Sequence, residues 1–128
     1  MDVEELAKEA VDCGFKLHKE LGPGLLESVY EILLAAALAE RGLIVARQVS
    51  VPISYRGVVV DNAFKIDLLV EQSLVIELKS TERASALYPK QLLTYLRLMD
   101  LPLGLLMNFG QETFKQGIQR VVNNHRES

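Results

Sequence analysis

The sequence predicts an α/β domain in which a mixed four-stranded sheet is flanked by helices. Hydrophobic residues recur at helical spacing up to Gly42, and strict alternation of apolar and polar residues begins at Val45. A third helical segment and a short apolar strand follow the alternating region. A strand–helix–strand connection within one parallel pair is right-handed. The predicted order is α-α-β-β-β-α-β-α, with helices on both faces of the sheet.

Two helices are predicted before the first strand, and a third between the third and fourth strands. The first covers 3–20, where apolar residues recur every three or four positions, and the Gly-Pro-Gly sequence at 22–24 ends it. The second covers about 25–41, and Gly42 occupies the position expected of a C-cap glycine. The third runs from Pro89 to about Met99, since proline is tolerated in a first turn.

The first predicted strand covers 45–55. It belongs at a sheet edge, because Pro52 cannot donate a hydrogen bond to a neighbouring strand. The other strands run from the turn at Arg56-Gly57 to about Val70, from Leu74 to Ser80, and from Leu103 to Phe109. A last helix is predicted after Gly110 and would carry Phe114, Ile118, Val121 and Val122.

Composition narrows the class of protein. The chain has 128 residues, 49% of them hydrophobic, which suits one domain over 1–128 with a substantial core. No run of about 18 apolar residues exists, and the acidic first residues do not resemble a secretory signal, so no membrane association is expected. Cys13 is the single cysteine, which favours a reducing, cytoplasmic location. The net charge of -3 argues against a general nucleic-acid coat protein.

Two carboxylates are predicted to meet in the hairpin of the second and third strands. If this hairpin is centred on Gln72, Asp67 faces Glu77 and Lys65 faces Lys79. One face of the pair would then be apolar and the other would carry the charges. The apolar face would comprise Phe64, Ile66, Leu68 and Val70 opposite Leu74, Ile76 and Leu78, and the other face Lys65, Asp67, Leu69, Val75, Glu77 and Lys79.

The Cβ atoms of the two residues would be about 5 Å apart, where two anions repel each other, so a proton, a lysine or a metal ion should neutralise them. Hard oxygen ligands favour Mg²⁺ or Mn²⁺. Lys79 lies two residues after Glu77, on the same face, where it could hold a water molecule or stabilise negative charge developing on phosphorus oxygens. The alternative is that these are ordinary solvated charges on a strand face.

These residues resemble known nuclease motifs. Asp67 with Glu77-Leu78-Lys79 resembles the D…ExK core of the PD-(D/E)XK nuclease superfamily, and Gly24 to Tyr30 (GLLESVY) resembles the signature of the GxxExxY protein family within it. The likeness extends over about residues 10–122. It continues in Leu21-Gly22-Pro23-Gly24, in Val51-Pro52 to Tyr55, in Gln91-Leu92-Leu93-Thr94-Tyr95, and in Gly104 to Phe109.

The resemblance implies a restriction-endonuclease-like αβββαβ core, with extra N- and C-terminal helices here. It implies that Asp67, Glu77 and the Leu78 carbonyl bind Mg²⁺ or Mn²⁺, joined by Glu27 from a helix, and that Lys79 is the catalytic lysine. Gln91 and Tyr95 resemble the QxxxY motif of RecB-like nucleases, which helps to place substrate and catalytic groups.

Simpler explanations exist for several of these side chains. Glu27 falls in a first helical turn, where the helix dipole favours a carboxylate. Gln91 and Tyr95 are one turn apart and could be a buried tyrosine with a hydrogen-bonded amide. Tyr30 is expected in the core rather than in the site. His125 is expected to be exposed, and Lys115, Arg120 and Arg126 could touch phosphate, although helical surface cations usually have no specific role.

Two functions follow from the sequence. The first is a metal-dependent deoxyribonuclease or other phosphodiesterase acting on nucleic acid, with DNA favoured as partner. The second is a catalytically silent nuclease-fold module that binds nucleic acid or a protein, which the acidic net charge favours. The apolar content also permits a homodimer.

Overall fold

The computed structural model describes residues 1–124, so the expectations for His125 and Arg126 lie outside the described residues. None of the helices within these residues has the length and hydropathy needed to cross a membrane. The elements are α1 (Val3–Leu21), α2 (Glu27–Glu40), β1 (Val45–Tyr55), β2 (Val58–Val70), β3 (Leu74–Lys79), α3 (Leu87–Met99), β4 (Leu103–Asn108), α4 (Phe114–Gly117) and β5 (Ile118–Val122).

The strands form one mixed sheet in the order β1-β2-β3-β4-β5. Strands β3 and β4 are parallel and are connected through α3, whereas every other neighbouring pair is antiparallel. The run from α2 to β4 is the expected αβββαβ core. Strand β1 lies at the sheet edge, as predicted from Pro52. Proline has no N–H to donate to a neighbouring strand, and an edge strand has no neighbour on its outer side that needs this donor.

Within residues 1–124 the sheet has five strands instead of the predicted four, and the predicted last helix is wrong. Of the described residues after Gly110, only the four of α4 are helical, and Ile118–Val122 form β5, which pairs with β4. The spacing of the apolar residues suited a helix. The segment forms a strand instead because β4 is buried along its whole length. Strand β3 pairs with one edge of β4, and β5 satisfies the backbone hydrogen-bonding groups of the other edge. Arg120 in β5 forms an ion pair with Glu4 of α1, which gives it a structural role.

Two hydrophobic clusters lie on opposite faces of the sheet. Helices α1 and α2 cover the first cluster, which includes Leu34 of α2 and Ile76 of β3. Helix α3 covers the second cluster, which includes Leu92 of α3 and Val75 of β3. Strand β3 therefore contributes to both layers of the core, and the alternation of its side chains puts Glu77 and Lys79 on the same face as Val75.

The predicted face assignment of β2 is wrong in one respect. Phe64 and Ile66 pack in the α3 cluster, whereas Leu68 and Val70 pack in the α1–α2 cluster. The alternation therefore changes face at Asp67. The cause is an irregularity shared with β1, in which Gln48 has a positive φ of 50° and neither Gln48 nor Asp67 has a partner in the β1–β2 ladder.

Beyond this point β1 and β2 continue as a two-stranded arm, residues 52–63. Within the arm each strand pairs only with the other, and Tyr55 and Val58 at its end are 67% and 65% exposed. The arm has an irregularity of its own between Val51 and Ile53, so its register differs from that of the strands below it.

Candidate active site

Asp67 and Glu77 come together at the end of the β2–β3 ladder. Leu68 pairs with Ile76 and Val70 with Leu74, which confirms the predicted register. The ladder ends at the pair Leu68–Ile76. Beyond it, the side chains of Asp67 and Glu77 accept the hydrogen bonds of backbone N–H groups. The Asp67 N–H donates to Glu77 Oε1 at 3.0 Å, and the Leu78 N–H donates to Asp67 Oδ2 at 2.8 Å.

Glu77 is a buried carboxylate, with 8% of its surface exposed. Burial, followed by the nearby charge of Asp67, raises the pKa of Glu77 from 4.5 to about 8, and Lys79 opposes the shift. A raised pKa means that the ionised form lacks sufficient compensation in this environment. The site therefore favours a positive charge or a proton beside these two carboxylates.

Lys79 supplies part of that positive charge. It is half-buried at the end of β3, and its Nζ lies 4.6 Å from the centroid of the Tyr88 ring, a cation–π contact. The predicted pairing of Lys65 with Lys79 is wrong, because the β2–β3 ladder ends at Leu68 and Lys65 pairs instead with Ser50 of β1. Lys79 therefore has no lysine opposite it in the ladder.

Glu27 approaches the same group from the first turn of α2. Partial burial raises the pKa of Glu27, Lys79 lowers it, and the charges of Asp67 and Glu31 raise it. The Glu27 carboxyl is thus electrostatically coupled to the strand residues. A groove of about 520 Å³ opens beside it, lined by residues 23–27, residues 80–82 and Gly110.

Helix α3 carries the two remaining predicted site residues, Tyr95 and Gln91. The Tyr95 ring stacks on Phe64, with centroids 4.2 Å apart, and burial followed by the charge of Glu77 raises the pKa of Tyr95. Gln91 lies one turn earlier and is exposed, and its side chain makes no hydrogen bond within residues 1–124. The simpler explanation, in which the Tyr95 hydroxyl is hydrogen-bonded to the Gln91 amide, is therefore wrong.

Three polar residues at the site were missed from the sequence: Glu31, Arg47 and Gln48. Glu31 is 5% exposed and lies one helical turn after Glu27 on α2. Gln48 Nε2 donates to Asp67 Oδ1 at 3.1 Å, and Arg47 forms a salt bridge with Glu31. The spacing of Glu27 and Glu31 on one helix face was a usable signal, but no local pattern pointed to the strand residues.

Tyr30 holds the loop that precedes Glu27. It is fully buried, as expected of a core residue, and its ring stacks on Phe109. Its hydroxyl donates to the Gly22 carbonyl at 2.5 Å and accepts from the Leu25 N–H at 3.2 Å. One side chain thus fixes both ends of the turn that leads into α2.

We expect Tyr30→Phe to lower the free energy of unfolding by about 1–2 kcal/mol, because two backbone groups lose their partner. Chemical denaturation measures the change. Tyr55→Phe is the matched control, since Tyr55 is 67% exposed and should lose almost nothing. Equal stability of the two variants would contradict the bracing role of the hydroxyl.

The carboxylate oxygens of the site are ligands that a hard cation prefers, but they do not form a complete set of ligands around one point. Among residues 1–124, no three His, Cys, Asp or Glu side chains are grouped so that they could hold a metal ion as they stand. Asp67 and Glu77 nevertheless present carboxylate oxygens next to each other in a buried environment that disfavours their joint ionisation. The donor set fits Mg²⁺ or Mn²⁺.

The sequence of the chain matches a known family over nearly its whole length. The model of a family described as the PD-(D/E)XK nuclease superfamily matches residues 4–121. No curated protein and no solved structure matches the chain.

Proposed function

The chain belongs to the PD-(D/E)XK nuclease superfamily, and on that premise we propose that it is a metal-dependent nuclease that hydrolyses phosphodiester bonds of nucleic acid, with DNA as the favoured substrate. The observation that carries the proposal is the meeting of Asp67 and Glu77 at the end of the β2–β3 ladder, with Lys79 two residues further along β3.

Asp67 and Glu77 would hold Mg²⁺ or Mn²⁺, with the Leu78 carbonyl and Glu27 completing the protein ligands. The Leu78 N–H points to Asp67. Because the N–H and C=O of one strand residue point to the same edge, the Leu78 carbonyl also faces that side. A bound divalent ion supplies Lewis-acid chemistry and lowers the pKa of water.

The remaining residues act on substrate and protons. The Lys79 ammonium would hold the attacking water or offset the negative charge that develops on the phosphorus oxygens. Tyr95 of α3 interacts electrostatically with Glu77, Lys79 and Asp67, and Tyr95 and Gln91 would place the substrate backbone, with the exposed Gln91 amide donating to a phosphate oxygen. The groove beside Glu27 is large enough to admit part of a nucleotide chain.

Further assignments belong to the same proposal. The GLLESVY segment favours membership in the GxxExxY group, a cytoplasmic location suits the free and buried Cys13, and a single domain covers 1–128. A homodimer would present two sites to the two strands of a duplex. Sedimentation of the purified protein measures its oligomeric state.

Cleavage assays test the proposal directly. Single-stranded, duplex and branched DNA, and RNA of matched sequence, are incubated with Mg²⁺, Mn²⁺ or EDTA. We expect metal-dependent cleavage that falls about 100-fold or more in Lys79→Met, because the variant cannot offset charge on the phosphorus oxygens. Lys19→Met on the exposed surface of α1 is the control. Equal cleavage by wild type and Lys79→Met would show that the activity does not come from this site.

The second candidate function is a catalytically silent module that binds nucleic acid or a protein partner. It is favoured by the net charge of -3 and by the Asp67 carboxylate, whose two oxygens already accept hydrogen bonds from Gln48 and from the Leu78 N–H. Calorimetry with Mn²⁺ separates the two candidates. Binding abolished by Asp67→Ala supports the nuclease, and a folded wild type that binds no Mn²⁺ supports the silent module.

A further inference from the structure

We infer that Gln48 is a positioning residue, which orients the Asp67 carboxylate and links it to helix α2 through Glu31. The inference rests on the proposed function, because the orientation of Asp67 matters to a cation only if Asp67 binds one. Its evidence is independent of the motifs, since neither Gln48 nor Glu31 belongs to the D…ExK set.

The Gln48 amide bridges two carboxylates. Its Nε2 donates to Glu31 Oε1 at 2.5 Å and to Asp67 Oδ1 at 3.1 Å. Ionised carboxylate oxygens only accept hydrogen bonds, so the nitrogen with its two hydrogens, and not the amide oxygen, must lie between them. The other Asp67 oxygen accepts from the Leu78 N–H, so both oxygens of this carboxylate are held.

Glu31 provides a fixed anchor for the amide. Its carboxylate is buried, and Arg47 donates to Oε2 from Nε at 3.2 Å and from Nη2 at 3.0 Å. A buried carboxylate with its charge paired in this way is held in one orientation. Since Glu31 and Glu27 are one turn apart on α2, these contacts tie the helix that carries Glu27 to strand β1, and the Gln48 amide extends the link to Asp67 on β2.

The backbone of Gln48 is strained to make this bridge. Its φ of 50° lies in the left-handed region, which a glutamine adopts at a cost in free energy. The conformation turns the side chain out of the alternation of β1, so that it reaches both carboxylates. Strain held at a residue that contacts a candidate site supports a positioning role.

Gln48→Gly separates positioning from stability, because glycine adopts a positive φ without strain while the amide is lost. We expect only a modest fall in melting temperature, because relief of the backbone strain partly offsets the loss of the amide donor to the buried Glu31 Oε1. We also expect at least tenfold weaker Mn²⁺ binding by calorimetry, the usual effect of losing a residue that orients a ligand. In the metal-free protein, the Leu78 amide proton should exchange several-fold faster by NMR, because Asp67 is free to rotate away from it.

The matched control is Asn62→Gly in the arm. Asn62 also has a positive φ, 54°, and it lies on the same strand as Asp67, so the substitution introduces glycine at the same backbone conformation without touching the carboxylates. Mn²⁺ affinity and Leu78 exchange should stay at wild-type values. If Gln48→Gly does not fold, Gln48→Asn replaces it, since asparagine tolerates this backbone but is too short to reach both carboxylates.

The outcomes distinguish the two proposals. Wild-type Mn²⁺ affinity and wild-type Leu78 exchange in Gln48→Gly would overturn the positioning role, as would a fall in melting temperature with unchanged affinity. If wild type itself binds no Mn²⁺, the metal-dependent function fails. Leu78 exchange then decides alone whether Gln48 orients Asp67, with faster exchange supporting the role and unchanged exchange overturning it.

Discussion

Glu77→Gln is expected to abolish cleavage and, at the same time, to stabilise the metal-free protein at pH 8. Cleavage should fall about 1,000-fold or more, because the substitution removes a charged oxygen ligand from the site. Stability should rise because the ionised carboxylate is buried beside Asp67, whereas glutamine carries no charge and its Oε1 can still accept from the Asp67 N–H.

The pH dependence follows from the two pKa values of Glu77. The folded-state pKa is about 8 and the ordinary value is 4.5, so the folded protein binds more protons between these limits. Stability therefore falls as pH rises from about 4.5 to 8, and the destabilisation is complete above pH 8. It amounts to a few kcal/mol, since each pKa unit is worth about 1.4 kcal/mol.

Denaturation in EDTA at pH 5, 6, 7 and 8 would measure this slope. The wild type should lose stability across the series, and Glu77→Gln should show a flatter profile. Glu20→Gln, at an exposed position on α1, should run parallel to wild type. Parallel profiles for Glu77→Gln and wild type would show that Glu77 is not destabilising when ionised.

Gly117→Ala should produce a large loss of stability for the addition of a single methyl group. A Cβ at position 117 would lie 2.0 Å from the Asn108 carbonyl oxygen, a backbone atom that cannot move without shifting β4. Overpacking against backbone should lower the free energy of unfolding by about 3 kcal/mol. Activity should fall too, because Asn108 pairs with Lys79 and its side-chain oxygen accepts from the Thr81 N–H.

Gly104→Ala is the comparison for this effect. Its new Cβ would meet Leu92 at 2.9 Å, but the contacted atom is the end of a flexible side chain. The loss should be about 1 kcal/mol, by chemical denaturation under the same conditions. A Gly117→Ala protein as stable as Gly104→Ala would mean that the α4–β4 contact can relax.

The β2–β3 hairpin could be predicted from the sequence because two independent signals agreed. The turn at Gln72 set the centre, and matching apolar residues on both strands set the register. Strand β3 lies inside the sheet with both faces covered, so its alternation is regular and correctly placed Glu77 and Lys79 on one face.

The remaining features depend on distant parts of the chain. The apolar residues of β5 have a spacing that suits a helix, and only the open edge of β4 decided otherwise. The face change at Asp67 arises from the backbone of Gln48, and glutamine is not a residue type that signals a left-handed conformation. The approach of Glu27 was implied by the resemblance alone, since it joins a helix to a strand 40 positions later in the chain.

The arm formed by β1 and β2 has a practical consequence. Its tip lies nine residues along β2 from Asp67, which corresponds to about 30 Å of extended chain. The irregularity between Val51 and Ile53 already separates its register from that of the strands beside the site. A peptide tag or a fluorescent domain inserted between Arg56 and Gly57 would therefore be accommodated at a surface turn, and would offer a handle for immobilising the protein at a point remote from the candidate site.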